Sequence, residues 1–127
     1  ALGRALAELH RGGGASFGWH RDNYIGSTPQ ANGESAHWVE FWRVRRLAPQ
    51  LALAEAAGHG AALRAELQRL MEGLPELFRD YTPQPSLLHG DLWRGNVGFL
   101  VGGEPSVFDP ALYRGDREAA ARPAGAG

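Results

Sequence analysis

Apolar residues recur at helical spacing through the first two thirds of this chain and in short extended runs after residue 82. Leu2, Ala5, Leu6 and Leu9 share one stripe with Arg4 and Glu8 opposite, which predicts an amphipathic helix over residues 1–9. Arg11-Gly12-Gly13-Gly14 ends it. Residues 16–34 are polar, carry Gly, Pro and Asn, and show no period, so they are expected to form a long ordered loop of the kind that carries function. A helix is predicted from residue 35 or 36 to about 58, with Trp38, Phe41, Trp42 and Arg45 along one side. Pro49 should kink it, because proline removes a backbone hydrogen bond. A second helix is predicted over 61–72, with Leu63, Leu67, Leu70 and Met71 as its buried stripe and Gly73 as its left-handed stop. Residues 74–81 add a short helical turn.

Thr82-Pro83-Gln84-Pro85 is a rigid break. Beyond it, Ser86-Leu87-Leu88 leads into residues 97–101, which read as a strand, and Ser106-Val107-Phe108 returns as its partner across a tight turn at Gly102-Gly103. Such a hairpin brings Asn96, at one strand's start, beside Asp109, at the other's end. Asp116 is placed to cap a helix start whose first-turn charges are Arg117 and Glu118. The Ala-rich stretch that follows dissolves into Pro123-Ala124-Gly125-Ala126-Gly127, so residues 119–127 are expected to be a disordered or non-native tail.

Composition narrows the function classes. At 127 residues and 43% hydrophobic, the chain suits one domain at most. Its formal net charge is −1 and its basic residues are scattered, which argues against nucleic acid and against an anionic membrane surface and favours a small-molecule substrate. There is no cysteine, and therefore no disulfide framework, thiolate metal site or cysteine nucleophile. No apolar run approaches the roughly 18 residues of a membrane helix, and a cytoplasmic location is expected. All 13 basic side chains are arginine. Without lysine the chain can supply neither a P-loop nor the strand lysine that a protein kinase sets on its nucleotide phosphates.

The chemistry sits in Leu88-His89-Gly90-Asp91-Leu92-Trp93-Arg94-Gly95-Asn96, followed thirteen residues later by Asp109-Pro110. Two acids and a carboxamide at this spacing match the phosphoryl-transfer pattern in which an Asp takes the acceptor hydroxyl's proton and an Asn and a later Asp hold magnesium. Asp91 is the expected base, and Asn96 and Asp109 are the expected hard-oxygen metal ligands. His89 is expected to orient the loop through its ring nitrogens. Trp93 is read either as an apolar wall for a sugar ring or as an ordinary buried tryptophan. His20, Asp22 and His37 lack the spacing of a zinc site and are read as solvated loop residues.

Together with Val107-Phe108-Asp109-Pro110-Ala111 and Tyr113-Arg114-Gly115-Asp116-Arg117-Glu118, this segment resembles the fructosamine kinase (ketosamine-3-kinase) family. The resemblance extends to Phe17-Gly18-Trp19-His20 with Asp22-Asn23, to Gly26-Ser27-Thr28-Pro29-Gln30, and to Trp38-Val39-Glu40-Phe41-Trp42 before Arg45-Arg46-Leu47. It implies an α+β, mainly helical fold over residues 1–118, the C-terminal lobe of a protein kinase-like fold with a short catalytic-loop hairpin, from which the N-terminal lobe with its glycine-rich strand pair is missing. It also implies ATP- and magnesium-dependent phosphorylation of the 3-hydroxyl of ketosamines, the fructosamine or ribulosamine adducts on amines or glycated proteins, and hence deglycation, because the phosphorylated adduct is labile. Residues 26–30 would serve the acceptor side. Family members usually carry a small residue at the position of Arg94, an aromatic near Arg114 and an acid at the position of Ala120. The alternatives are another small-molecule kinase of the aminoglycoside or choline type, and a fragment that is inactive by itself.

Overall fold

The computed structural model describes residues 1–120. Helix α1 (Leu2–His10) follows its apolar stripe and ends at Arg11. The predicted loop is more ordered than its composition suggests, because β1 (Asn23–Ile25) and β2 (Thr28–Gln30) form a hairpin within it. Tyr24 lies opposite Pro29, and the connection is the pair Gly26-Ser27. Gly26 has φ +59°, the left-handed conformation that a two-residue hairpin turn requires at its first position. Pro29 is tolerated because a two-stranded ribbon has only edges.

The next helical run divides into α2 (Trp38–Trp42), a π-helical turn (Arg43–Leu47) and α3 (Ala48–Ala56). The expected kink at Pro49 is therefore displaced upstream. Proline cannot bond to the carbonyl four residues back and its ring crowds that group, so the chain widens over 43–47 and Pro49 sits in the first turn of a new helix, where an N–H is not needed. The wider turn advances the helical phase by one residue. Arg46, rather than the expected Arg45, lies over the Phe41 and Tyr113 rings, at 4.8 and 4.2 Å from their centroids.

Helix α4 (Gly60–Leu77) runs eighteen residues, straight through the expected stop at Gly73 and through Pro75. Its packing against α3 and burial of Leu74 hold together what local propensity would end. The expected buried stripe is also corrected: Leu63 and Leu70 are exposed, and Leu67 and Met71 are only half-buried.

Strand β3 (Ser86–Leu88) leads to a 3-10 turn (Arg94–Asn96), then β4 (Val97–Phe99), β5 (Pro105–Val107), β6 (Tyr113–Gly115) and a second 3-10 turn (Arg117–Ala119). The β4–β5 hairpin forms as predicted in pairing but not in its turn. Leu100 N–H donates to the Glu104 carbonyl and Gly103 N–H to the Leu100 carbonyl, both at 2.8 Å, so three residues cross over and Val101 stands in solvent outside the strand. In the other ribbon, β3 pairs with β6, with Leu88 opposite Tyr113. Gly13 bridges to Ser86 and Gly18 to Arg114, which ties the N-terminal stretch to both strands.

Among the described residues the architecture is α+β and mainly helical, with four α-helices and three two-stranded antiparallel ribbons. Its core is an aromatic cluster of Phe17, Trp38, Phe41 and Tyr113 with Leu88 and Ala120, flanked by Trp19, Trp42 and Phe78. Phe41 stacks on Trp38 and on Tyr113 with 5.8 Å between centroids in each case. Such rings bury much area per residue, which suits a core built from few positions. Ala119 closes the last 3-10 turn and Ala120 is buried, while the remainder of the expected tail, 121–127, lies outside the described residues. Among the described residues, no helix is long and apolar enough to cross a membrane.

Candidate active site

The core strand β3 delivers Leu88 into the aromatic cluster and sends the next residue, His89, into a buried position beneath the 89–96 loop. Gly90 then turns the chain with φ +87°. A Cβ at that position would overlap the Ala111 carbonyl, so the loop can approach the 109–111 segment this closely only with glycine. The approach is fastened by Ala111 N–H donating to the His89 carbonyl at 2.8 Å.

His89 joins the two acidic segments. Its Nε2 donates to the Phe108 carbonyl at 2.7 Å and its Nδ1 accepts from Asp91 N–H at 3.3 Å. These partners set the hydrogen on Nε2 and the lone pair on Nδ1, because a carbonyl can only accept and an amide N–H can only donate. One ring therefore spaces the backbone of Asp91 from the residue preceding Asp109.

Asn96, at the end of the 3-10 turn, is buried. Its Nδ2 donates to the Asp91 carbonyl at 2.9 Å and lies 3.4 Å from Asp91 Oδ2. With the amide nitrogen engaged there, Oδ1 is the atom that remains to meet a hard cation. Phe108 N–H donates to the Asn96 carbonyl at 3.1 Å, which continues the β4–β5 pairing by one rung and leaves Asp109 just past the hairpin. Asp109 is the sole non-glycine residue with positive φ, +55°, among the described residues. A carboxylate held in this sparsely populated conformation is the kind of local strain that accumulates at functional sites.

Asp91, Trp93, Asn96 and Asp109 line one cleft of about 450 Å³ together with Tyr24, Ile25, Gly26, Pro110 and Ala111. The three residues that sequence spacing selected, Asp91, Asn96 and Asp109, thus come together, and His89 lies behind them as their spacer. Trp93 is 48% exposed and lines the cleft, so it is not an ordinary buried tryptophan. Its ring folds over Gly95, where any side chain would strike it.

A further wall comes from Tyr24, Ile25 and Gly26, of which the resemblance had pointed to Gly26 and not to Tyr24 or Ile25. Asn23, Gln30 and Asn32 form a side-chain network that fastens the β1–β2 hairpin to the backbone leading away from Asp109. Gln30 Nε2 donates to the Ala111 carbonyl at 3.1 Å and to Asn23 Oδ1 at 2.9 Å, while Asn23 Nδ2 donates to the Leu112 carbonyl at 2.8 Å. Asn32 Nδ2 also donates to Asn23 Oδ1, at 2.9 Å. Arg46 closes the network from below, its Nη1 and Nη2 donating to the Ala31 carbonyl and Asn32 Oδ1 at 2.6 and 2.7 Å. Desolvation by burial holds the Arg46 guanidinium below its ordinary pKa and pushes the Tyr113 hydroxyl up, and the attraction between the two opposes both shifts. The family resemblance pointed to residues 26–30, while nothing in the residue types pointed to the bonds of Asn23 and Gln30 to the 111–112 backbone.

Comparison with known proteins bears on the family of the chain and on its fold. Residues 1–121 match the family model described as fructosamine kinase. The chain is 44% identical over 120 residues to a chloroplastic protein-ribulosamine 3-kinase of Arabidopsis thaliana, covering 93% of this chain and 37% of the relative. It is also 44% identical over 118 residues to a probable ketoamine kinase of Synechocystis, covering 92% and 39%. A crystal structure of a candidate fructosamine-3-kinase from Thermobifida fusca superposes with a TM-score of 0.83 at 34% identity, over 93% of this chain and 41% of that one. A kinase-like fold accords with that superposition. The chain spans about two fifths of the length of the relatives it matches. Family members named in this way are transferases that act as kinases on ketoamines or ribulosamines. On the strength of the matched span and the identity to these relatives, the chain belongs to the fructosamine kinase family.

Proposed function

We propose that the protein to which this chain belongs transfers the terminal phosphate of ATP to the 3-hydroxyl of ketosamines, fructosamine or ribulosamine adducts on small amines or proteins, and so promotes their deglycation. The observation that carries the reading is the convergence of Asp91, Asn96 and Asp109 on one cleft, with His89 bonded to the backbone of both acidic segments.

In this reading Asp91 receives the acceptor proton. The hydroxyl oxygen forms a bond to the terminal phosphorus, the bond from that phosphorus to the bridging oxygen breaks, ADP leaves with the bonding pair, and the proton passes to the Asp91 carboxylate. Asn96 Oδ1 and the Asp109 carboxylate fit a magnesium ion, being hard oxygen donors of which one is neutral and one anionic. Bound there, magnesium supplies charge neutralisation to the phosphates. Asn96 also holds Asp91 by two contacts, which keeps the base and the metal ligand in register. Trp93 offers its exposed face to the sugar.

We read the described residues as the C-terminal lobe of the kinase-like fold, with nucleotide phosphates held partly by groups outside this chain, since it contains no lysine. The 127 residues alone are then expected to be inactive. The deciding experiment is a substrate panel on the full-length protein with MgATP. Phosphate found at O3 of fructosyl-lysine supports the reading. Transfer to aminoglycosides or choline with none to ketosamines replaces it with the alternative acceptor class.

A further inference from the structure

Tyr24 is 63% exposed, on a hairpin whose amide side chains Asn23 and Gln30 are bonded inward, and it shares the cleft with Asp91 and Trp93. Single exposed aromatics are ordinary. This one stands on a hairpin fastened to the segment that carries Asp109, so its position relative to the carboxylates is set by the bonds of Gln30 and Asn23 to the Ala111 and Leu112 carbonyls. The cleft therefore has two aromatic side chains on separate elements, Tyr24 on β1 and Trp93 on the 89–96 loop, and it is also lined by the carboxylates of Asp91 and Asp109.

A ligand complementary to that arrangement carries an apolar sugar face, hydroxyls and a positive charge. A ketosamine has all three. Its substituted amine, protonated at neutral pH, lies three bonds from C3, so a 3-hydroxyl delivered to Asp91 necessarily brings the cation into the same cleft. Resting on the function proposed above, we propose that Tyr24 is a specificity-determining residue whose ring takes the ammonium of the ketosamine by a cation–π contact, while Trp93 takes the sugar face. The role belongs to the ring and not to the hydroxyl.

The test uses the full-length protein with Tyr24→Ala and Tyr24→Phe. Tyr24→Ala should raise KM for fructosyl-lysine by about 5- to 20-fold, with kcat and KM for ATP changed less than about twofold. The inhibition constant of fructose, which lacks the charge, should rise less than about twofold, and Tyr24→Phe should restore the ketosamine KM. An unchanged ketosamine KM in Tyr24→Ala overturns the proposal, as does an equal loss for fructose and fructosyl-lysine, which would mark mere disturbance of the cleft. Calorimetric titration with fructosyl-lysine separates this inference from the one beneath it. Wild-type binding without phosphate transfer sinks the kinase reading, and the effect of Tyr24→Ala on that binding still decides the role of Tyr24. Neither binding nor transfer sinks both.

Discussion

Gly90 and Asp91 are neighbours with opposite demands. Asp91 is useful for its side chain, and its backbone N–H and carbonyl can keep their bonds to His89 and Asn96 when that side chain is replaced. In the full-length protein Asp91→Ala is expected to lower kcat by about 10²- to 10⁴-fold with little change in the thermal midpoint. Steady-state kinetics beside a melting curve check it, and wild-type turnover in the variant would remove Asp91 from the mechanism. Gly90 is useful for the side chain it lacks. Gly90→Ala places a methyl on the Ala111 carbonyl at a φ of +87°, so a destabilisation of at least about 2–3 kcal/mol is expected in denaturant titration. The two partners of His89, the Phe108 carbonyl and the Asp91 N–H, are set by how the strands return.

The β1–β2 hairpin shows how an element can be held by polar groups without a core of its own. Its strands are three residues long, too short for independent stability, and its register depends on Gln30 and Asn23 reaching the 111–112 backbone. Gln30→Leu leaves the Ala111 carbonyl without this donor in a buried setting, and a loss of about 1–3 kcal/mol in unfolding free energy is expected. Equilibrium denaturation measures it. A loss no greater than that of Thr28→Ala, at the other end of the strand, would show that the clamp contributes nothing. The π-helical turn before Pro49 has a comparable role, since the phase it adds is what sets Arg46 under Asn32 and over the core aromatics. Periodicity analysis assumes a constant 3.6 residues per turn and placed Arg45 there instead.

For the molecule entire, the cleft lies between the β1–β2 hairpin and the 91–96 and 109–111 segments, and under the proposed function part of the nucleotide's binding falls to groups outside this chain. The isolated 127 residues are expected to bind MgATP weakly and to show no measurable turnover, since transfer depends on positioning both reactants. Calorimetry that found tight nucleotide binding would contradict this. Stability should also depend on pH through His10, whose pKa is lowered by desolvation and by the nearby Arg117 against an opposing pull from Glu118. The folded state disfavours the imidazolium. The corresponding stability is present above the unfolded value of 6.5 and is lost as pH falls through the lower folded value. Melting temperature is therefore expected to drop on acidification from pH 7 toward 5, and His10→Gln should flatten that part of the profile. An identical slope in the variant would exclude His10 as its source.

Spacing along the chain was enough to determine the pairing of β4 with β5 and the first helix, because each depends on contacts within a few residues or on one turn, and it selected three residues, Asp91, Asn96 and Asp109, that line one cleft. Tertiary structure alone decided the rest. Helix α4 runs through Gly73 and Pro75 because packing on α3 outweighs local propensity, and its stripe stays exposed because nothing in the described residues covers it. The wall bearing Tyr24 exists because amides some eighty residues from Ala111 and Leu112 in sequence find those carbonyls, a pairing that no local pattern encodes.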